Sequence, residues 1–124
     1  VTTPNNSVRL GAGDWFFETR IQIPDLSTST ERYQILLGFF DLFTGVNQGD
    51  GVYLLYDEGG VTTGSIASAN WQLVTANNST RSFSTSSTAV TNNTWIRVGI
   101  EINAAGNRAD FFVNGTNIGN ITTN

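Results

Sequence analysis

Carboxylates and aromatic rings are the only side chains here that could do chemistry, because the chain has no histidine and no cysteine, and all six basic residues are arginines. Without imidazole or thiol there is no Ser-His-Asp or Cys-His nucleophile and no histidine metal site, and the commonest general base is missing. A working carboxylate pair must project into one cleft, as alternating positions of a strand allow. Glu18 and Glu101 are lone acids on polar strand faces, and Asp57 and Glu58 are adjacent, which on a strand sends them to opposite faces. These acids read as solvated surface and turn residues, and the chain as a non-enzyme.

Oxygen-rich loops can also hold Ca²⁺ through Asp, Asn and backbone carbonyls. Asp41, Asn47, Asp50 and Asp57 flank one loop, so Asp41, Asp50 and Asp57 are the candidate calcium ligands. They do not have EF-hand spacing, and the competing reading is that Asp and Asn are present as turn formers. Otherwise no cofactor is expected. The third possibility is sugar binding, in which C–H faces stack on aromatic rings while amides, carboxylates and guanidinium groups bond the hydroxyls. Tyr33, Tyr53, Tyr56 and Trp71 are the candidate stacking residues, with Asn70, Gln72 and Arg81 as polar partners; the site is centred on Tyr53, Tyr56, Trp71, Asn70 and Arg81. In Gly51–Asp57 (GVYLLYD), Tyr53 and Leu55 share one face, while Val52, Leu54 and Tyr56 share the other. One tyrosine is therefore expected in the core and the other on an outer or concave face. For each ring, packing is the competing reading. Trp15 and Trp95, at strand starts, read as core or rim packing.

The elements that must position these residues are strands. In Trp95–Ile102, Ile96, Val98, Ile100 and Ile102 alternate with Arg97, Gly99 and Glu101, a period of two. Ala104–Asn107 is a small turn, residues 109–113 alternate again, and Asn114-Gly115 is a strong hairpin signal because both residues tolerate φ > 0. Ile100→Asp is expected to unfold the domain. Earlier strands are expected at Val8–Leu10, Trp15–Ile23, Glu31–Phe40, Gly51–Asp57, Trp71–Ala76 and Arg81–Thr85, with Ser86–Thr88 ending the last. No segment has a sustained helical period. Many short strands joined by Gly, Asn and Ser turns predict an all-β, antiparallel two-sheet jelly-roll sandwich.

The 124 residues suffice for one core, so residues 1–124 are read as a single domain. The start at Val1 and the stop at Asn124 suggest a fragment of a longer chain. The net charge is −4, and the arginines are scattered singly, which argues against nucleic acid or an anionic membrane as partner. About a third of the residues are Ser, Thr or Asn, a surface solvated by hydroxyls and amides rather than ions.

The order WFFETRIQIPDLS, ERYQILLGF, DGVYLLYD, WQLVTAN, then WIRVGIEINAAG and FFVNG resembles concanavalin A-like (laminin G-like, lectin-like) jelly rolls. More narrowly it resembles versions in bacteriophage tail fibres, tailspikes and capsid-surface decoration proteins. The resemblance implies a non-catalytic virion surface module acting in host adhesion, glycan contact or particle assembly. Its partners would be other virion proteins and host-surface glycans, in a homo-oligomer with a trimer as the expected count. The alternative is a carbohydrate-binding module of a secreted bacterial enzyme; a glycosidase remnant is a third reading. In that family a further strand follows F-x-V-N-G. This chain ends soon after that motif, so the strand is expected to be missing or supplied by another chain.

Overall fold

Alternating apolar and polar residues build one sheet, and unbroken apolar runs build the other. The computed structural model describes residues 11–41, 48–62 and 67–122. They form eight strands: β1 (Trp15–Gln22), β2 (Ile35–Phe40), β3 (Gly51–Asp57), β4 (Ser68–Asn77), β5 (Thr80–Ala89), β6 (Trp95–Ile102), β7 (Ala109–Val113) and β8 (Thr116–Ile121). Two four-stranded sheets, in the orders β1-β6-β7-β8 and β2-β3-β4-β5, have only antiparallel pairings. The architecture is an all-β sandwich compatible with a jelly roll.

The main core lies between the sheets. From the first sheet it takes Ile96, Val98, Ile100, Ile102, Phe111 and Val113; from the second, Val52, Leu54, Tyr56, Trp71 and Leu73. Full burial of an aliphatic or Phe side chain contributes roughly 1.5–3 kcal/mol. Phe39 of β2 meets Trp15 and Phe17 of β1 edge-on, at ring separations of 6.2 and 5.8 Å, and so bridges the two sheets. Gly38 makes the close approach possible. At its φ of 149° a Cβ would stand 2.4 Å from the Val52 carbonyl oxygen and 2.8 Å from Ile100 Cδ1, so a side chain there would displace backbone as well as core.

The turns follow their residues. Asn114 and Gly115 have φ of 50° and 81°, the left-handed pair a two-residue hairpin needs, and Asn78-Ser79 repeats the pattern at 48° and 65°. Asn103 fixes the 103–108 turn, its Oδ1 accepting from the backbone N–H groups of Asn107 and Arg108 at 3.1 Å each.

Four expectations need correction or placement. The strand thought to be missing after FFVNG is present: β8 pairs with β7 from Val113–Thr116 to Ala109–Ile121. Thr116–Asn120 has too little apolar character to announce itself, and the hairpin turn specifies it instead. β2 begins at Ile35 rather than Glu31, because residues 27–33 are held in a hydroxyl-centred turn. There Thr28 Oγ1 accepts from Glu31 N at 2.9 Å and Ser27 Oγ accepts from Tyr33 N at 3.2 Å. β5 runs on through Ser86–Thr88 because β4 starts early, at Ser68, and supplies a partner. Asn70 Nδ2 donates to the Ser86 carbonyl at 3.0 Å across a register shift. The Val8–Leu10 strand lies outside the described residues.

Candidate functional site

The three rings on which the sugar site was centred are all interior. Tyr53, Tyr56 and Trp71 are 1%, 0% and 0% exposed, so none offers a face to a ligand, and that reading of them is corrected here. Tyr56 and Trp71 lie in the main core with ring centroids 6.3 Å apart. The Tyr56 hydroxyl donates to Glu58 Oε2 at 2.7 Å and accepts from Ser27 N at 3.0 Å, which anchors the β1–β2 connection. Burial first, and donation to Glu58 second, hold its phenol well above the usual tyrosine range.

Tyr53 points the other way, as the alternation of β3 requires. Yet it is buried too, in a second cluster with Leu55 and Val74 against which Leu36, Phe40 and Phe83 pack. Burial raises the Tyr53 pKa, opposed by Arg81, which donates to its hydroxyl. Arg81 also lies over the Phe83 ring, 5.4 Å from its centroid. Asn70 is spent on the β4–β5 ladder. Tyr33 packs edge-on against Tyr56 and donates to the Asp25 carbonyl. Gln72 is fully buried, and neither polar atom of its amide has a hydrogen-bond partner among the described residues.

The calcium set does not converge either. Asp41 and Asp50 sit together at one rim, where Asp41 N donates to the Asp50 carbonyl at 3.0 Å. Asp50 Oδ1 accepts from Asn78 N at 2.6 Å. Asp57 ends β3 at the opposite rim, about 20 Å away at ~3.3 Å per residue. Its carboxylate is buried and closes the next turn, accepting from Val61 N at 2.6 Å and Thr62 N at 2.7 Å. Asn47 lies outside the described residues. No group of three or more metal-ligating acids forms among the described residues.

Among the described residues the exposed aromatics are two others, Phe16 at 58% and Trp95 at 55%. Both stand on the outer face of the β1-β6-β7-β8 sheet. Register places Trp95 beside Gln22, Arg20 beside Arg97, Glu18 beside Gly99 and Phe16 beside Glu101. Trp95 was expected to pack in the core or at a rim; instead it is open, with the Arg20 guanidinium 5.4 Å from its ring centroid. Phase carried the signal: Trp95 is out of step with Ile96, Val98 and Ile100, and Phe16 with Trp15 and Phe17. Between them the surface is ionic. Arg97 approaches Glu18 at 3.6 Å, an exposed pair worth little.

At the Phe16 end the face opens into a recess of about 430 Å³. Asp14, Phe16, Glu101, Asn103 and Asp110 line it, with Trp15 behind. The ring lies over Gly99: a Cβ on residue 99 would stand 4.0 Å from Phe16 Cε2 and 3.7 Å from Phe112 Cβ, ordinary contact distances. Asp110 is gripped by Arg108, whose Nε and Nη2 each donate to it at 2.8 Å, and by Asn117 Nδ2 at 3.1 Å. The Arg108 bonds hold its carboxyl below the usual Asp range. The recess therefore combines an open aromatic face with acceptor oxygens on a rigid sheet.

No curated protein and no solved structure matches this chain. A family model described as the SO2946-like, C-terminal domain matches residues 1–124, and the chain belongs to that family.

Proposed function

We propose that this domain is a non-catalytic recognition module on the surface of a bacteriophage particle, in a fibre, spike or capsid decoration. It contacts host-surface glycans through the outer face of the β1-β6-β7-β8 sheet. The observation that carries the glycan reading is Phe16, a ring more than half exposed at the mouth of a recess lined with carboxylates and an amide. A fixed strand that presents an apolar face among hydrogen-bonding groups has the make-up of a small-ligand site, and a shallow opening suits one or a few sugar residues. The particle placement rests on the likeness to concanavalin A-like virion modules. A homo-oligomer, with a trimer preferred, would let weak single contacts add up.

A glycan array probed with the 124-residue chain tests the reading. Saturable binding that Phe16→Ala removes while melting stays unchanged supports it. Absence of binding to every glycan, with the chain retained on purified particles, overturns the glycan reading and makes assembly the domain's work. Glycan binding by a chain whose natural flanks carry a catalytic domain would instead make it the binding module of a secreted bacterial enzyme.

A further inference from the structure

We propose that the Phe16 recess selects sugars by charge and takes an amine-bearing sugar in preference to a neutral or anionic one. This deepens the glycan reading and rests on it. The polar groups of the recess are unequally engaged. Asp110 is matched by Arg108 and Asn117. The Asn103 amide is consumed by its own turn, with Nδ2 donating to Asn107 Oδ1 at 2.8 Å and Oδ1 accepting from two backbone N–H groups. Asp14 and Glu101 remain, both exposed and neither bonded to a partner among the described residues. Among the described residues no basic residue lines the recess.

A ligand therefore meets a ring face and two open carboxylates, with few donors to satisfy an acid of its own. A uronate or sialic acid would bring its charge against Asp14 and Glu101. A neutral sugar would donate only hydroxyls. A protonated amine would gain charge-assisted hydrogen bonds to the carboxylates and attraction to the face of the Phe16 ring.

Calorimetric titration with glucosamine oligomers, their fully N-acetylated counterparts and uronate oligomers, at low and physiological salt, tests the inference. The amine form should bind about tenfold tighter than the acetylated form, the preference shrinking as salt rises. Asp14→Asn with Glu101→Gln should abolish that preference yet leave binding of the acetylated form; Phe16→Ala should weaken both. Asp25→Asn with Glu31→Gln, on the 24–34 connection, should leave the preference intact. If those two substitutions reduce it as much, the selectivity is only the chain's overall negative charge and the inference falls. Equal binding of amine and acetylated forms, or tighter binding of uronates, overturns the charge selection while the glycan reading stands. Failure of all three to bind, together with an empty glycan array, takes the glycan reading down as well.

Discussion

The two sheets share a core but differ on their backs. In the β1-β6-β7-β8 sheet alternation is clean: β1 is half-buried and exposed by turns, and β6 hides its isoleucines while presenting Trp95, Arg97 and Glu101 to solvent. In the other sheet the central strands are buried on both faces. β3 is buried at six consecutive positions and β4 likewise from Trp71 to Ala76. The aromatic residues divide accordingly: tyrosines on the doubly buried strand stabilise, while Phe16 and Trp95 on the one-sided sheet are available for contact. An aromatic residue's chemistry is thus set by the burial of its strand face more than by its type.

Substitutions can break that contrast, beginning with the largest effect. Ile100 and Glu101 are neighbours on opposite faces of β6. Ile100→Asp puts an unpaired charge into the core and should abolish the cooperative melting transition, since the cost rivals a stability of about 5–15 kcal/mol. Glu101→Gln should melt like the parent. An unchanged melting temperature for Ile100→Asp would sink the core assignment.

Next is a matched pair of ring deletions. Tyr53→Ala should cost about 3–5 kcal/mol in denaturant unfolding, because it empties the second cluster and leaves Arg81 without its phenol. Phe16→Ala should stay within about 0.5 kcal/mol. Equal costs would mean the two backs are alike.

Gln72 gives a change of opposite sign. Its amide is buried with no bonding partner among the described residues, so Gln72→Met, of similar volume, should leave the melting temperature unchanged or raise it, by up to about 1–3 kcal/mol of stability. A clear loss would reveal a partner for that amide.

The smallest effect comes from acid. The Asp110 carboxyl is held below its ordinary value of 3.8, chiefly by Arg108. A depressed folded pKa stabilises above the unfolded value and is lost as pH falls through the folded one. The contribution should therefore be present above about pH 4 and fade below it. Arg108 is half-exposed and Asp110 one-fifth exposed, so Asp110→Asn should cost no more than about 1 kcal/mol at neutral pH. It should also flatten the acid limb of the stability profile, which urea unfolding at stepped pH would show.

Much of the fold was legible residue by residue. The inward face of β6, the Asn114-Gly115 hairpin and the turn at Ala104–Asn107 all follow from local rules. The candidate site was half legible: phase alone marks Phe16 and Trp95 as outward. The misreadings concern Tyr53, Tyr56, Trp71 and Asp57. Their residue types suit ligands, but the groups they meet come from distant segments, such as Ser27 on the Tyr56 hydroxyl and Arg81 on Tyr53.

By itself the sequence determined the strand period, the main turns and the exclusion of histidine and thiol chemistry. Each of these depends on a residue and its near neighbours. Tertiary structure alone decided that β3 and β4 are covered twice, that β8 completes its sheet, and that Asp57 stands a strand's length from Asp41 and Asp50. Strand pairing and layer stacking join residues far apart in the chain, and a period of two does not record what lies on either side of it.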